Sequence, residues 1–286
     1  MKRVFRIWFL SVTTIAALLA LSAATYAWFT SNRQVSTNTA SARTGEETLE
    51  LQVSSIGGGG FRSEETATIR QVNSQSQDRL MPVSTADLVN FVYAPSTNGG
   101  MASSFKKVEK EEYLYHGRLY LRATGTGWPS SARLKLYLDQ SDGVLGEASG
   151  TLLTASRLGL MFDGSASSAV ILRLTENESP RGQQVYNTVI GGRTLEKNQV
   201  LAWNGTGVRA VGDPSRAITD YTVSFEHASV TEPQRTLLEM ELNRIYTVDV
   251  YFYLEGCDPD CSDSVSEQAA DIHLAFYGVI DRGEGG

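Results

Sequence analysis

Histidine is scarce in this chain of 286 residues: His116, His227 and His273 are the only three, and none stands in His-x-His or His-Glu-x-x-His spacing. A zinc hydrolase therefore has no local signature. No Gly-x-Ser-x-Gly elbow presents a nucleophilic serine, and no glycine-rich loop ends in Gly-Lys-Ser/Thr. The adjacent acids Glu64-Glu65 and Glu111-Glu112 would point to opposite faces of a strand, so neither forms a local acid–base pair. Two cysteines are too few for a disulfide-dense mini-protein, and 41% hydrophobic with 20% charged residues is the balance of a globular chain, neither disordered nor collagen-like. An enzyme is not expected.

Negative charge is missing from the first 27 residues, where the only charged side chains are Lys2, Arg3 and Arg6. Setting those three aside leaves 22 basic against 32 acidic residues in 28–286, a formal charge of −10 compared with −7 for the whole chain. Such a body repels nucleic acid, and no basic patch offsets it. From Ile7 to Phe29 the chain carries no charge. A basic start, an apolar run and the small residues that follow describe an export signal over 1–27, with Thr25 and Ala27 at the −3 and −1 positions and Trp28 as the new N-terminus. The alternative is an uncleaved helix crossing a ~30 Å hydrocarbon core, against which stand Ser11, Thr13, Thr14, Ser22 and Thr25. The body is expected outside the cell, secreted or tethered, with membrane contact only through this segment.

What the body does contain is period-two alternation. Leu49, Leu51 and Val53 open it, followed by Gly57–Gly60 as a flexible turn with no helix start behind it to hold a phosphate. Alternation returns over 113–123 and 133–139, and strand-like runs recur at 158–162, 170–174, 185–190, 221–225, 245–254 and 272–280. Asp163-Gly164, Asn204-Gly205 and similar clusters separate them. Short helices are expected only after Ser84-Thr-Ala-Asp87, which imitates a capping box, and over 236–242. Runs without crossover helices imply antiparallel pairing. The expectation is an all-β fold, an antiparallel β-sandwich of jelly-roll type over 49–286, preceded by a polar arm at 28–48 and the signal helix. At this size folding buries about three quarters of the exposable surface, so the core needs no staple.

The densest local chemistry is Glu255-Gly-Cys-Asp-Pro-Asp-Cys-Ser-Asp263. Cys257 and Cys261, four apart across a proline turn, either close a small disulfide outside the cytosol or stay as thiols in a reducing habitat. Asp258, Asp260 and Asp263 offer hard oxygens to Ca²⁺, although the spacing lacks the glycine and terminal glutamate of an EF-hand. Two thiolates without a nearby histidine leave a zinc ion under-coordinated. No other cofactor is implied.

The segment Ala24-Thr-Tyr-Ala-Trp-Phe-Thr30, with Leu49-Glu-Leu-Gln-Val53 beyond a polar arm, resembles the export end of proteins processed by the SipW-type signal peptidase of Gram-positive bacteria. The strand and turn Val250–Cys261 leading into Asp271–Phe276 resembles the closing hairpin of that group, whose better-known members are of the TasA/camelysin biofilm-matrix family. The likeness covers the first ~55 and last ~45 residues; the Cys pair and the long polar stretch at 61–80 depart from the family's fibre formers. The resemblance implies a jelly-roll domain, processing by signal peptidase, and matrix fibres shared with other matrix proteins, in which one subunit's arm completes the next subunit's sheet.

The physical case agrees with that implication. An extended arm tipped by Trp28 and Phe29 and carrying Val35 can pair with an exposed sheet edge, and head-to-tail addition does not close on itself. An arm folded back on its own domain is the competing expectation. A second function class is a secreted glycan- or ligand-binding module in which Trp128 or Trp203 stacks on sugar; a hydrolase is the third.

Overall fold

A computed structural model describes residues 33–37, 48–62, 67–72, 80–95, 97–98, 101–102, 104–109, 113–138, 144–145, 152–173, 188–190, 193–196, 199–212, 221–222, 236–261 and 272–281. The protein is all-β. A six-stranded sheet runs in the order Leu238–Glu241, Arg133–Leu138, Ile272–Asp281, Arg33–Thr37, Ala67–Thr68, with Val144–Leu145 also on Ile272–Asp281. A ten-stranded sheet runs Tyr221–Thr222, Val170–Arg173, Ser156–Phe162, Ile245–Glu255, Pro82–Ser84, Val92–Tyr93, Lys106–Lys107; the long strand Tyr115–Thr126 joins it by pairing with Ile245–Glu255, Thr48–Ser54 and Arg70–Gln71. Hairpins such as Val200–Trp203 with Val208–Val211 lie outside both sheets.

Alternation in the sequence becomes alternation in burial. In Arg133–Leu138 the three leucines are buried while Arg133, Lys135 and Tyr137 are partly exposed. In the long strand Leu119, Leu121 and Ala123 face inward and Arg118, Tyr120 and Arg122 outward. The inward residues of both sheets meet in one apolar core: Leu134, Leu136, Met240, Leu274 and Phe276 from the first, Leu51, Leu121, Leu160, Val248 and Phe252 from the second. A fully buried leucine or phenylalanine contributes roughly 1.5–3 kcal/mol, so this core is the main source of stability.

The strand Ile245–Glu255 is covered on both faces. Tyr246, Val248, Val250 and Phe252 face the main core, while Tyr251 and Tyr253 meet Val83, Leu88, Phe91, Met161 and Ile171 in a second cluster. Leu88 reaches that cluster only because Gly159 has no side chain, since a Cβ there would collide with the Leu88 methyls. Leu88 itself sits at a left-handed φ of 59°. The glycine quartet forms a turn, with Gly58 and Gly60 at positive φ, and returns the chain so that Arg62 bridges Val53.

Three expectations need correction. The segment after Ser84 is not a helix: Thr85 Oγ1 accepts the amides of Asp87 and Leu88, and Asp87 Oδ1 those of Val89 and Asn90, so side chains hold a bend in place of helical bonds. Residues 238–241 form a strand, because pairing Leu134 with Met240 completes the core more than a short helix would. Among the described residues the α-helix is Leu152–Ala155, leading into the strand Ser156–Phe162, with a 3₁₀ turn at Ala166–Ser168 beyond that strand. Nor are the sheets purely antiparallel: Arg33–Thr37 on Ile272–Asp281, Tyr221–Thr222 on Val170–Arg173, and Pro82–Ser84 on Ile245–Glu255 are parallel. Each parallel pair joins segments far apart in the chain, so no crossover helix is required.

Candidate functional site

The expected signal segment and its processing residues Thr25, Ala27 and Trp28, together with Phe29 at the arm's tip, lie outside the described residues. The arm is described from Arg33, and its backbone fills a slot. Arg33–Thr37 runs parallel to the C-terminal strand, with Val35 opposite Leu274, and antiparallel to Ala67–Thr68 on its other side. The arm thus pairs with its own domain along both edges. No helix among the described residues is long and apolar enough to cross a membrane.

Trp128 and Trp203 occupy different settings. The Trp128 indole donates to the Thr48 carbonyl at 2.8 Å and lies over Gly125, clamping the start of Thr48–Ser54 against the end of the long strand. Trp203, at the end of its hairpin strand, packs beside Val92, Leu195, Leu201 and Cys257 and is only partly buried. Its exposed part looks into a hollow of about 640 Å³ that is also lined by Tyr93, Phe105, Tyr113, Lys106, Lys107 and Glu109. Pairing of Val92–Tyr93 with Lys106–Lys107 sets Tyr93 beside Lys106, and the Tyr93 and Tyr113 ring centres are 4.9 Å apart. Sequence reading singled out Trp203 alone, because the other aromatic residues come from segments without a shared motif.

The Cys–Asp turn caps a buried polar centre. Arg157 reaches Asp258 Oδ2 with Nη2 at 2.8 Å, and both side chains are almost wholly buried. Arg157 Nη1 also donates to the Thr154 and Ser156 carbonyls, while Asp258 Oδ1 accepts the Asp260 amide. Burial works against the Arg157 charge, but Asp258 and Glu255 more than offset it and keep the guanidinium protonated. Glu255 is pushed up to about 7 by burial, against the pull of Arg157 and hydrogen bonds from Ser84 and the Cys257 amide. Burial, with Glu255 beside it, also raises the Cys257 thiol. Cys257 is buried, Cys261 is partly exposed, and the structure carries both without a bond between them. Of the three aspartates suggested for calcium, Asp258 is committed to Arg157, Asp260 is buried in the same turn, and Asp263 lies outside the described residues. Among the described residues no group of three His, Cys, Asp or Glu side chains is arranged to hold a metal ion.

His116 is satisfied within the sheet. Its Nε2 lies 3.0 Å from Asp249 Oδ1, the same oxygen that accepts from Arg118 Nε at 2.7 Å, and its ring stacks on Tyr251 with centres 4.3 Å apart. Burial alone would raise Asp249, but the bonds from His116 and Arg118 hold its carboxyl below the usual range. This buried pair braces Tyr115–Thr126 against Ile245–Glu255, where Arg118 and Asp249 are cross-strand neighbours. The sequence marked His116 as a strand histidine but gave no sign of Asp249, 133 residues away.

Comparison with protein-family models, characterised proteins and solved structures returns no match.

Proposed function

We propose that this is an exported, non-enzymatic structural protein of the cell surface or extracellular matrix, with a jelly-roll-like body that assembles by donating its N-terminal arm to a neighbouring subunit. The observation that carries this reading is the arm's position: a five-residue strand, near the N-terminus, paired between the C-terminal strand and Ala67–Thr68. An identical arm from another copy offers the same backbone groups in the same register, so exchange conserves every ladder bond. The ten residues between Thr37 and Thr48 reach at most ~33–36 Å when extended, which bounds how far an arm can be handed over. Export is supported by the charge pattern of the first 29 residues.

The test is Val35→Pro. Proline removes an amide and cannot continue a ladder paired on both sides. The exported protein is expected to form filaments visible by electron microscopy and concentration-dependent oligomers in size-exclusion chromatography, and Val35→Pro to give monomers alone. Filaments unaffected by the proline, or monomers from both, would sink arm exchange.

A further inference from the structure

We propose that the hollow between Trp203 and the edge of the ten-stranded sheet is a binding site for an anionic saccharide, an oligosaccharide bearing uronic-acid carboxylates. This inference is independent of arm exchange, since the hollow contains no residue of the arm.

Its lining has two characters. Tyr93, Phe105, Tyr113 and Trp203 form an aromatic wall, all four partly buried and none fully so. Lys106, Lys107 and Glu109 stand exposed around it. The volume of about 640 Å³ matches a site for a few sugar rings, within the ~300–1,000 Å³ of small-molecule pockets.

The combination selects the ligand class. A purely apolar ligand would bury the lysines and the glutamate without partners, which is costly. A small inorganic anion would leave the aromatic wall unused. A saccharide presents both faces: its C–H surfaces lie on aromatic rings, and its hydroxyls meet the tyrosines and Glu109. The charge balance points to the anionic kind. The chain is acidic overall at −7, yet the residues lining the hollow are two lysines against one glutamate, which favours a carboxylate placed beside Lys106 and Lys107. Lysines on an edge strand also deter strand pairing, but that role needs neither a hollow nor an aromatic wall.

Isothermal titration of the purified protein with an oligogalacturonate of defined length tests this, with the carboxyl-reduced, neutral oligosaccharide of the same length in parallel. Binding of the acidic form is expected, with the neutral form and the double variant Lys106→Ala/Lys107→Ala each roughly tenfold weaker or more. Both lysines are exposed, so the double variant keeps its fold, checked by circular dichroism. Trp203→Ala is expected to lose binding as well, but it also packs against a buried cluster and is read only if its melting curve stays cooperative. No binding of either sugar, equal binding of the two, or full affinity in the lysine variant would overturn the assignment.

Discussion

Glu255 shows how a single residue is set by its surroundings. It ends a strand whose last eight residues are all buried, donates nothing when ionised, and accepts the Cys257 amide at 3.1 Å. In the unfolded chain its pKa returns to the ordinary 4.5, whereas in the fold burial lifts it to about 7. Between those values the native state holds a proton that the unfolded state has released, so stability falls as pH rises from ~4.5 to ~7, by up to about 1.4 kcal/mol per unit. Glu255→Gln keeps the acceptor oxygen and removes the titration. Urea unfolding at several pH values is therefore expected to show a flatter profile for the variant over this range, and greater stability than the parent at pH 8. Parallel profiles would contradict the assignment. Arg157 behaves differently: Asp258, 2.8 Å away, helps to keep the guanidinium charged despite its burial, and removal of Asp258 leaves that buried charge to bear the full desolvation cost. The sequence marked Asp258 but attributed it to calcium, because Arg157 lies 101 residues away and only the fold brings it in.

At the scale of elements, the alternating strands were legible because one face of each is apolar, as Leu134, Leu136 and Leu138 illustrate. The bend at 85–90 was not. Ser84 and Asp87 imitate a capping box, but Thr85 and Asp87 close a bend when Leu88 has somewhere to go. That destination is the space over Gly159, on a neighbouring strand. Gly159→Ala is accordingly expected to push Leu88 out of the outer cluster and cost roughly 1–3 kcal/mol. Chemical denaturation measures it, and a double variant that also carries Leu88→Ala is expected to be less than additive, since the two positions share one space. Full additivity would mean that the contact is not the source of the cost.

At the scale of the whole molecule, two sheets enclose one core, and Arg33–Thr37 lies along Ile272–Asp281 in the smaller sheet, joining segments from opposite parts of the sequence. If the proposed export holds, processing has a structural consequence: cleavage after Ala27 would free an arm that starts with Trp28 and Phe29 a few residues before its paired stretch. The exported protein is expected to begin at Trp28, read by N-terminal sequencing, with an intact mass corresponding to 28–286. Recovery of the unprocessed chain in the membrane fraction would favour the tethered form instead. The aromatic-walled hollow at the far edge of the larger sheet gives the same molecule a second surface, remote in topology from the arm.

The amino-acid sequence by itself determined what depends on neighbours along the chain: period-two alternation and hence an all-β body, and the turn at Asp163-Gly164 with both residues at positive φ. Only the tertiary structure decided which strands pair and in which direction, that Asp249 serves His116 and Arg118, that Arg157 claims Asp258, and that four aromatic residues from separate segments line one hollow. The reason is physical. Backbone ladders accept any partner strand, so pairing is chosen by which apolar faces fit together, and that fit belongs to the packed whole.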